Sequence, residues 1–203
     1  MTGRIITVRH GRPDLSRDLK ITAAEFGDWW TRYDRAGLHP DERSPQGLID
    51  LASEARTVLS STLPRSIETA RQATGGKRDV PADPIFVEAP LPPPPAPSFL
   101  KLHPAAWGVI SRTFWFLGYA PGDIEAHVDT WDRVRNITAR LSRHAHDGDV
   151  MLCAHGYLNW MIDRRLRREG WLQTSRAGGN RYWSWRIYEA PGAPEKAKTV
   201  EAA

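Results

Sequence analysis

Two histidines stand in the same local pattern, at the end of an apolar run and directly before a glycine. His10 follows the run 5–8 and Arg9, and His155 follows the run 150–154. If both runs are parallel strands of one sheet, their carboxyl ends lie along one edge, where ligands of such sheets bind. A helix that opens beyond each glycine would add N–H donors for an anion. The pattern therefore predicts that both histidines meet an anionic ligand at one edge of a sheet.

Arginines at neighbouring positions suit the transfer of a phosphoryl group. A neutral imidazole is a nucleophile near neutral pH, and the transferred group spreads negative charge over three oxygens. The planar fork of an arginine makes two parallel bonds to such a group. Arg9 is adjacent to His10, and Arg65 follows a predicted strand at 57–60 across a short turn, so we expect both at the same edge. Arg12 is a further candidate for contact with the substrate.

A proton donor is the remaining requirement, because the leaving oxygen must be protonated as it departs. Glu88 comes directly after a predicted short strand at 85–87, which would place it at the same edge as the histidines. Asp83 is its rival, since it lies just before that strand. The three residue types together predict phosphoryl transfer through a histidine.

Strands and helices alternate along the chain, which predicts an α/β fold with a mainly parallel sheet. Short apolar runs bounded by turn residues indicate the strands, and spacings of three and four with capping patterns indicate the helices. The predicted strands are 4–8, 57–60, 85–87, 150–154 and 183–188, and the predicted helices are about 23–33, 45–55, 65–73, 104–118, 124–148 and 156–168.

The length of 203 residues fits one domain, which we place at 1–190. A proline-dense connector begins at Pro90 and leads into an aromatic stretch, so an insertion of about 90–121 is expected. Its aromatic side chains either line a lid over the site or pack the insertion onto the sheet. The tail 191–203 is small and polar and is predicted to be disordered.

Composition and charge narrow the class of protein without naming its ligand. The formal charge of +4 favours anionic ligands, which include phosphate esters, nucleic acid and acidic membranes. The single cysteine, Cys153, cannot form an internal disulfide and fits a reducing compartment. We expect no secretory signal, because the first ten residues lack a long apolar stretch after a basic start, and no apolar run reaches membrane-spanning length. We expect a cytoplasmic protein without a membrane span.

Three segments together resemble the signature of the histidine phosphatase superfamily, also called the phosphoglycerate mutase-like fold. They are Arg9-His10-Gly11, the segment 60–70 with its Arg65 before Glu68-Thr69-Ala70, and the segment 150–156 with His155. They occur in the family's order and span the chain from about 4 to 166. The resemblance implies a three-layer α/β/α sandwich with a helical insertion over the active site.

The resemblance also implies a role for each matching residue. His10 would be the phosphorylated nucleophile, and Arg9, Arg65 and His155 would bind the phosphoryl group. Glu88 would protonate the leaving group and later activate water. Members of the family need no metal and no organic cofactor, so none is expected here.

The residues after the tripeptide favour the phosphatase branch. Cofactor-dependent mutases continue with a serine and then an asparagine near the phosphate, whereas this chain continues Arg12-Pro13-Asp14-Leu15. A phosphomutase and a catalytically inactive phosphate-binding module remain alternatives. A nucleic-acid binder is a fourth hypothesis because of the basic run 164–168, although such a run more often solvates a helix end. We expect a small phosphorylated substrate as the ligand and no nucleic acid, and we leave a homodimer open.

Overall fold

The computed structural model describes residues 2–192, and within them one sheet of five strands forms the centre of the molecule. Its strands lie in the order β2-β3-β1-β5-β4. The first three are parallel to one another. On the other side of β1, β5 pairs antiparallel with β1, and β4 pairs antiparallel with β5. The strand bounds are β1 Ile5–Arg9, β2 Thr57–Ser60, β3 Val150–Ala154, β4 Leu172–Ala177 and β5 Trp185–Glu189.

Six α-helices surround this sheet within the described range. Their bounds are α1 Ala23–Arg35, α2 Gln46–Glu54, α3 Pro64–Ala73, α4 Pro104–Phe116, α5 His127–Asp147 and α6 Gly156–Arg168. None of these helices is both long and apolar enough to cross a membrane.

The apolar side chains of the central strands alternate between two cores, one on each face of the sheet. Ile5 and Leu152 pack with side chains of α5 and α6, whereas Ile6 and Met151 pack with side chains of α2 and α3. Successive residues of a strand point to opposite faces, and each face here is covered by helices. The predicted three-layer α/β/α sandwich is confirmed.

The register of β1 and β3 places the two histidines side by side. Arg9 pairs with Ala154 in this parallel ladder, so His10 and His155 both follow the last pair at the same edge. The backbone N–H of His10 donates to the carbonyl of Ala154 at 3.0 Å, which extends the ladder by one bond. The prediction that both histidines lie at one edge is confirmed.

The predicted strand at 85–87 is wrong. Residues Pro84–Phe86 form one turn of 3₁₀ helix, and a single bridge between Ser60 and Ala82 joins this region to the sheet. The reason is the pair Pro81 and Pro84, because a proline has no N–H to donate to a strand ladder. Glu88 therefore lies on an irregular segment instead of a strand end.

The region from 90 to 121 holds the proline-dense connector and α4. Trp107 and Trp115 of α4 are fully buried, and the Trp107 ring N–H donates to the carbonyl of Ile21 at 2.6 Å. Phe116 is 62% exposed and lines a cavity. Some aromatic side chains therefore pack α4 in place, and Phe116 faces the cavity. Residues 193–203, most of the predicted disordered tail, lie outside the described residues.

Candidate active site

Two buried imidazoles form the centre of the site. His10 is 2% exposed and His155 is fully buried, and their ring centroids lie 5.2 Å apart. Burial and the nearby positive charge of Arg65 lower the pKa of His10 well below its usual value. Burial and the neighbouring His10 do the same to the pKa of His155. Both rings are therefore neutral at neutral pH, which leaves a ring nitrogen able to act as a nucleophile.

The hydrogen bonds of His10 determine which ring nitrogen is free. Nδ1 lies 2.7 Å from the carbonyl oxygen of Gly11, which can only accept, so Nδ1 is assigned the proton. Nε2 then carries the lone pair and accepts a bond from Nε of Arg65 at 3.3 Å. A Cβ at position 11 would lie 2.5 Å from the ring of Trp183, so glycine is required there. Nε2 is thus the ring nitrogen without a proton.

Arg65 is fully buried and is held from one side by α1. Its Nη1 donates to the carbonyl of Tyr33 at 2.8 Å, and its Nη2 donates to the carboxylate of Asp34 at 3.0 Å. These two bonds leave its Nε edge turned toward His10. Burial raises the pKa of Asp34, and the ion pair with Arg65 opposes that shift. Asp34 was not predicted from sequence, because only the tertiary fold brings the last turn of α1 to this arginine.

His155 and Arg9 each have a buried nitrogen without a hydrogen-bond partner among residues 2–192. The atoms are Nδ1 of His155 and Nε of Arg9. Nε2 of His155 lies 2.9 Å from the hydroxyl of Ser61, and Nη1 of Arg9 donates to the carbonyl of Asn180. Unpaired buried polar atoms are costly, so these two nitrogens are candidates for contact with a polar ligand.

Glu88 is joined to the start of α6. Its two carboxyl oxygens accept the backbone N–H groups of Tyr157 at 3.1 Å and Leu158 at 2.8 Å. These bonds satisfy free donors in the first turn of the helix that begins just after His155. Glu88 therefore reaches the edge of the sheet that the sequence predicted, although its own segment is not a strand.

The structure does not bring Arg12 and Asp83 to this cluster. The Arg12 side chain is 49% exposed and forms an ion pair with Glu42. Asp83 accepts the backbone N–H of Ile85 at 2.9 Å and pairs with Arg140. Of the two carboxylates considered from sequence, only Glu88 lies at the site.

Two residues near His10, Tyr182 and Arg17, were not predicted from sequence. The ring of Tyr182, in the turn between β4 and β5, has its centroid 5.6 Å from that of His10. The guanidinium carbons of Arg9 and Arg17 lie over the Tyr182 ring, 4.8 Å and 5.7 Å from its centroid. Both positions are on loops, and no local pattern indicates where a loop side chain points. The only available signal was the Gly178-Gly179 pair, which indicates a turn.

A cavity of about 780 Å³ opens beside these groups. Four arginines line it, and none of them forms an ion pair among residues 2–192. Glu88 is the one carboxylate in the lining, and neither His10 nor His155 belongs to it. The four arginines are Arg9, Arg17, Arg112 and Arg186, and the aromatic side chains of the lining include Tyr157 and Phe116.

The two neutral histidines predict a specific dependence of stability on pH. In the unfolded chain a histidine takes up a proton near pH ~6.5, whereas the folded pKa of both is lower. Below pH ~6.5 the unfolded state therefore binds more protons, and the free energy of unfolding falls by at most about 1.4 kcal/mol per pH unit for each histidine. Denaturant melts between about pH 7 and about pH 5 should show this loss. The double variant His10→Asn/His155→Asn should have a flatter profile, and an equally steep one would contradict the assignment.

The family model of the histidine phosphatase superfamily (branch 1) matches residues 51–191, more than half of the chain. The matched region begins after the His10 tripeptide and includes Arg65, Glu88 and His155. Among curated protein sequences none matches this chain.

Solved structures with the same fold include three proteins named as phosphatases. A mycobacterial glucosyl-3-phosphoglycerate phosphatase complexed with VO3 is 19% identical, with a TM-score of 0.57, 95% of this chain covered and 100% of that one. A mutant phosphoserine phosphatase from Entamoeba histolytica is 16% identical, with a TM-score of 0.53 and coverage of 82% and 80%. A putative alpha-ribazole-5′-P phosphatase from Escherichia coli is 20% identical, with a TM-score of 0.50 and coverage of 81% and 79%. At these identities the likeness concerns the fold.

The family match and the shared fold confirm three predictions made from sequence: the family, the α/β architecture and the class of phosphoric monoester hydrolase. The chain belongs to the histidine phosphatase superfamily.

Proposed function

We propose that this phosphatase hydrolyses a small organic phosphate monoester through a phosphohistidine on His10. The observation that carries the proposal is the state of His10: its buried ring is neutral, and its Nε2 lone pair faces the guanidinium of Arg65 at 3.3 Å. A nucleophilic nitrogen and a phosphate-binding cation are thus in direct contact. Phosphoryl transfer needs this pairing of nucleophile and cation.

A bound phosphoryl group would offer new partners to three donors. The N–H at Nε of Arg65 would turn from His10 to a phosphoryl oxygen, which frees the lone pair for attack. Nε of Arg9 and Nδ1 of His155, both buried without a partner among residues 2–192, would bind further oxygens. His155 can donate from Nδ1 because Ser61 can donate its hydroxyl proton to Nε2. Since Tyr182 covers His10, its loop would shift as the phosphoryl group enters.

The reaction then proceeds in two steps that conserve atoms and charge. Nε2 of His10 attacks phosphorus, the bond from phosphorus to the ester oxygen breaks, and Glu88 gives its proton to that oxygen. The alcohol leaves, and Glu88 is now a carboxylate. It takes a proton from a water molecule whose oxygen attacks phosphorus, the phosphorus–nitrogen bond breaks, and inorganic phosphate is released with Glu88 protonated again.

The cavity supports an anionic substrate with an apolar or ring-shaped portion. Its four arginines carry more positive charge than Glu88 can balance, and Arg17 and Arg186 are additional to the arginines assigned to the phosphoryl group. Tyr157 and Phe116 supply aromatic surface in the same lining. The solved neighbours are named as phosphatases of small phosphorylated metabolites, which agrees with a substrate of this size.

A screen of phosphorylated metabolites tests the proposal, with release of inorganic phosphate as the readout and His10→Ala as the control. We expect phosphate release by the wild-type protein on at least one compound and none by the variant. Return of an isomeric phosphate ester without free phosphate would indicate a phosphomutase. Binding without turnover would indicate an inactive phosphate-binding module. Either result would contradict the proposed hydrolysis.

A cytoplasmic location and a homodimer stay predictions made from sequence. The lone cysteine, Cys153, is buried, so it does not link two copies through a disulfide in the folded state. Light scattering on the purified protein measures whether one or two copies are present.

A further inference from the structure

The segment that carries Glu88 has little backbone hydrogen bonding of its own. Prolines at 81, 84 and 90 supply no N–H groups. One turn of 3₁₀ helix and one bridge to β2 are the regular structure around it. Because backbone carbonyls still need partners, the segment must be held by side chains from elsewhere.

Arg133 of α5 holds the part of this segment that precedes Glu88. Its Nη1 donates to the carbonyls of Ile85 and Val87, each at 2.8 Å. Its Nε and Nη2 donate to the two carboxylate oxygens of Glu125, each at 2.8 Å. The Arg133 side chain is 14% exposed, so the bonds are protected from water. Glu125 thus fixes the guanidinium, and the guanidinium fixes the backbone.

Arg112 of α4 holds the part that follows Glu88. Its Nη1 donates to the carbonyl of Pro90 at 2.9 Å and its Nη2 to that of Ala89 at 3.2 Å. Its guanidinium carbon lies 3.9 Å from the centroid of the Tyr157 ring. Since the backbone N–H of Tyr157 binds Glu88, Arg112 connects α4, the Glu88 segment and the start of α6.

We propose that Arg133 and Arg112 are positioning residues for Glu88. Together they fix the backbone on both sides of it, and so place its carboxyl where the leaving oxygen of the substrate departs. The inference rests on the proposed function, because it takes Glu88 as the proton donor. Arg112 also lines the cavity and would touch substrate, whereas Arg133 does not line it. Arg133 therefore gives the cleaner test.

The test compares two substrates that differ in their need for an acid. The 4-nitrophenolate of 4-nitrophenyl phosphate leaves without a proton, whereas the alkoxide of glycerol 2-phosphate needs one. The parameter is kcat/KM, which includes transfer to His10 and excludes the later attack of water. We expect Arg133→Met to lower kcat/KM about 10- to 100-fold for the alkyl ester and less than about threefold for the aryl ester. The ratio of kcat/KM between the two substrates does not depend on the fraction of folded enzyme. The comparison therefore remains valid for a variant that is partly unfolded.

A double-mutant cycle with Glu88→Gln separates positioning from a general structural role. If Arg133 acts through Glu88, then Arg133→Met adds less than about twofold to the loss already caused by Glu88→Gln. Arg133→Lys keeps the positive charge but lacks the planar guanidinium. Its kcat/KM should therefore also fall selectively for the alkyl ester, but by a smaller factor than in Arg133→Met. Arg135→Met is the matched control, since Arg135 is an exposed residue of the same helix that pairs with Asp132.

Other results would contradict either the positioning role of Arg133 or the role of Glu88 as the proton donor. Equal losses on both substrates, or a full additional loss on the Glu88→Gln background, would overturn the positioning role of Arg133. If Glu88→Gln itself lowered kcat/KM equally for both substrates, the role of Glu88 in the proposed function would fall, and the positioning role with it. The behaviour of Glu88→Gln thus distinguishes the two failures.

Discussion

His10→Ala is expected to abolish phosphatase activity, with a fall in kcat of about 10⁴-fold or more on every substrate. The variant removes the only atom in the site assigned as nucleophile, Nε2, while Arg65, Arg9 and His155 stay in place to bind the phosphoryl group. Substrate affinity should therefore change far less than turnover. Isothermal titration with a poor substrate, beside steady-state kinetics, measures both quantities.

The control for this variant is His146→Ala. His146 is an exposed histidine in the last turn of α5, just before the start of β3 and therefore at the opposite end of that strand from His155. Its removal should leave activity within about twofold of wild type, since an exposed side chain without a site contact contributes little. If His10→Ala retained activity within tenfold, the nucleophile would have to be another group.

Arg65→Lys should lower kcat/KM by about 10²- to 10³-fold, which is the usual cost of removing one donor that stabilises transition-state charge. Lysine keeps the positive charge but cannot make the three fixed bonds of the buried guanidinium, to His10, Tyr33 and Asp34. The loss should therefore come from geometry. It should appear with aryl and alkyl phosphates alike, because Arg65 binds the phosphoryl group common to both.

Arg71→Lys provides the matched control for this prediction. Arg71 is an exposed arginine in the last turn of α3, the helix whose first turn carries Arg65. Its kinetics should equal those of the wild-type protein. Wild-type kcat/KM in Arg65→Lys would show that the guanidinium does not contact the transferring group.

The parts of the fold predicted well from sequence are those with a strong local pattern. The strand 150–154 and the helix 156–168 agree with β3 and α6 at both ends, because a fully buried strand is continuously apolar and Gly156 follows it directly. The two His-Gly junctions depend on the same pattern, so the positions of His10 and His155 at one edge could be predicted with them.

The parts that were missed depend on contacts between distant segments. Strand β4 is mostly exposed and polar at the sheet edge, so it has no apolar alternation that could indicate a strand. Asp34 contacts Arg65 only because the fold brings the last turn of α1 next to that side chain, and Tyr182 and Arg17 lie on loops. The predicted position of Glu88 near the edge that holds the histidines is correct, but the predicted strand before it is not. Arginines and the start of α6 hold Glu88 there instead.

Detection of a phosphorylated residue during turnover tests the proposed phosphohistidine directly. Glu88→Gln is the protein to use with 4-nitrophenyl phosphate, since this ester transfers its phosphoryl group without an acid while the variant lacks the base that activates water. After an alkaline quench, which preserves phosphohistidine, peptide mass spectrometry locates the added group. We expect one phosphoryl group per chain, on His10. Turnover with no phosphorylated residue, or with the group on any residue other than His10, would contradict it.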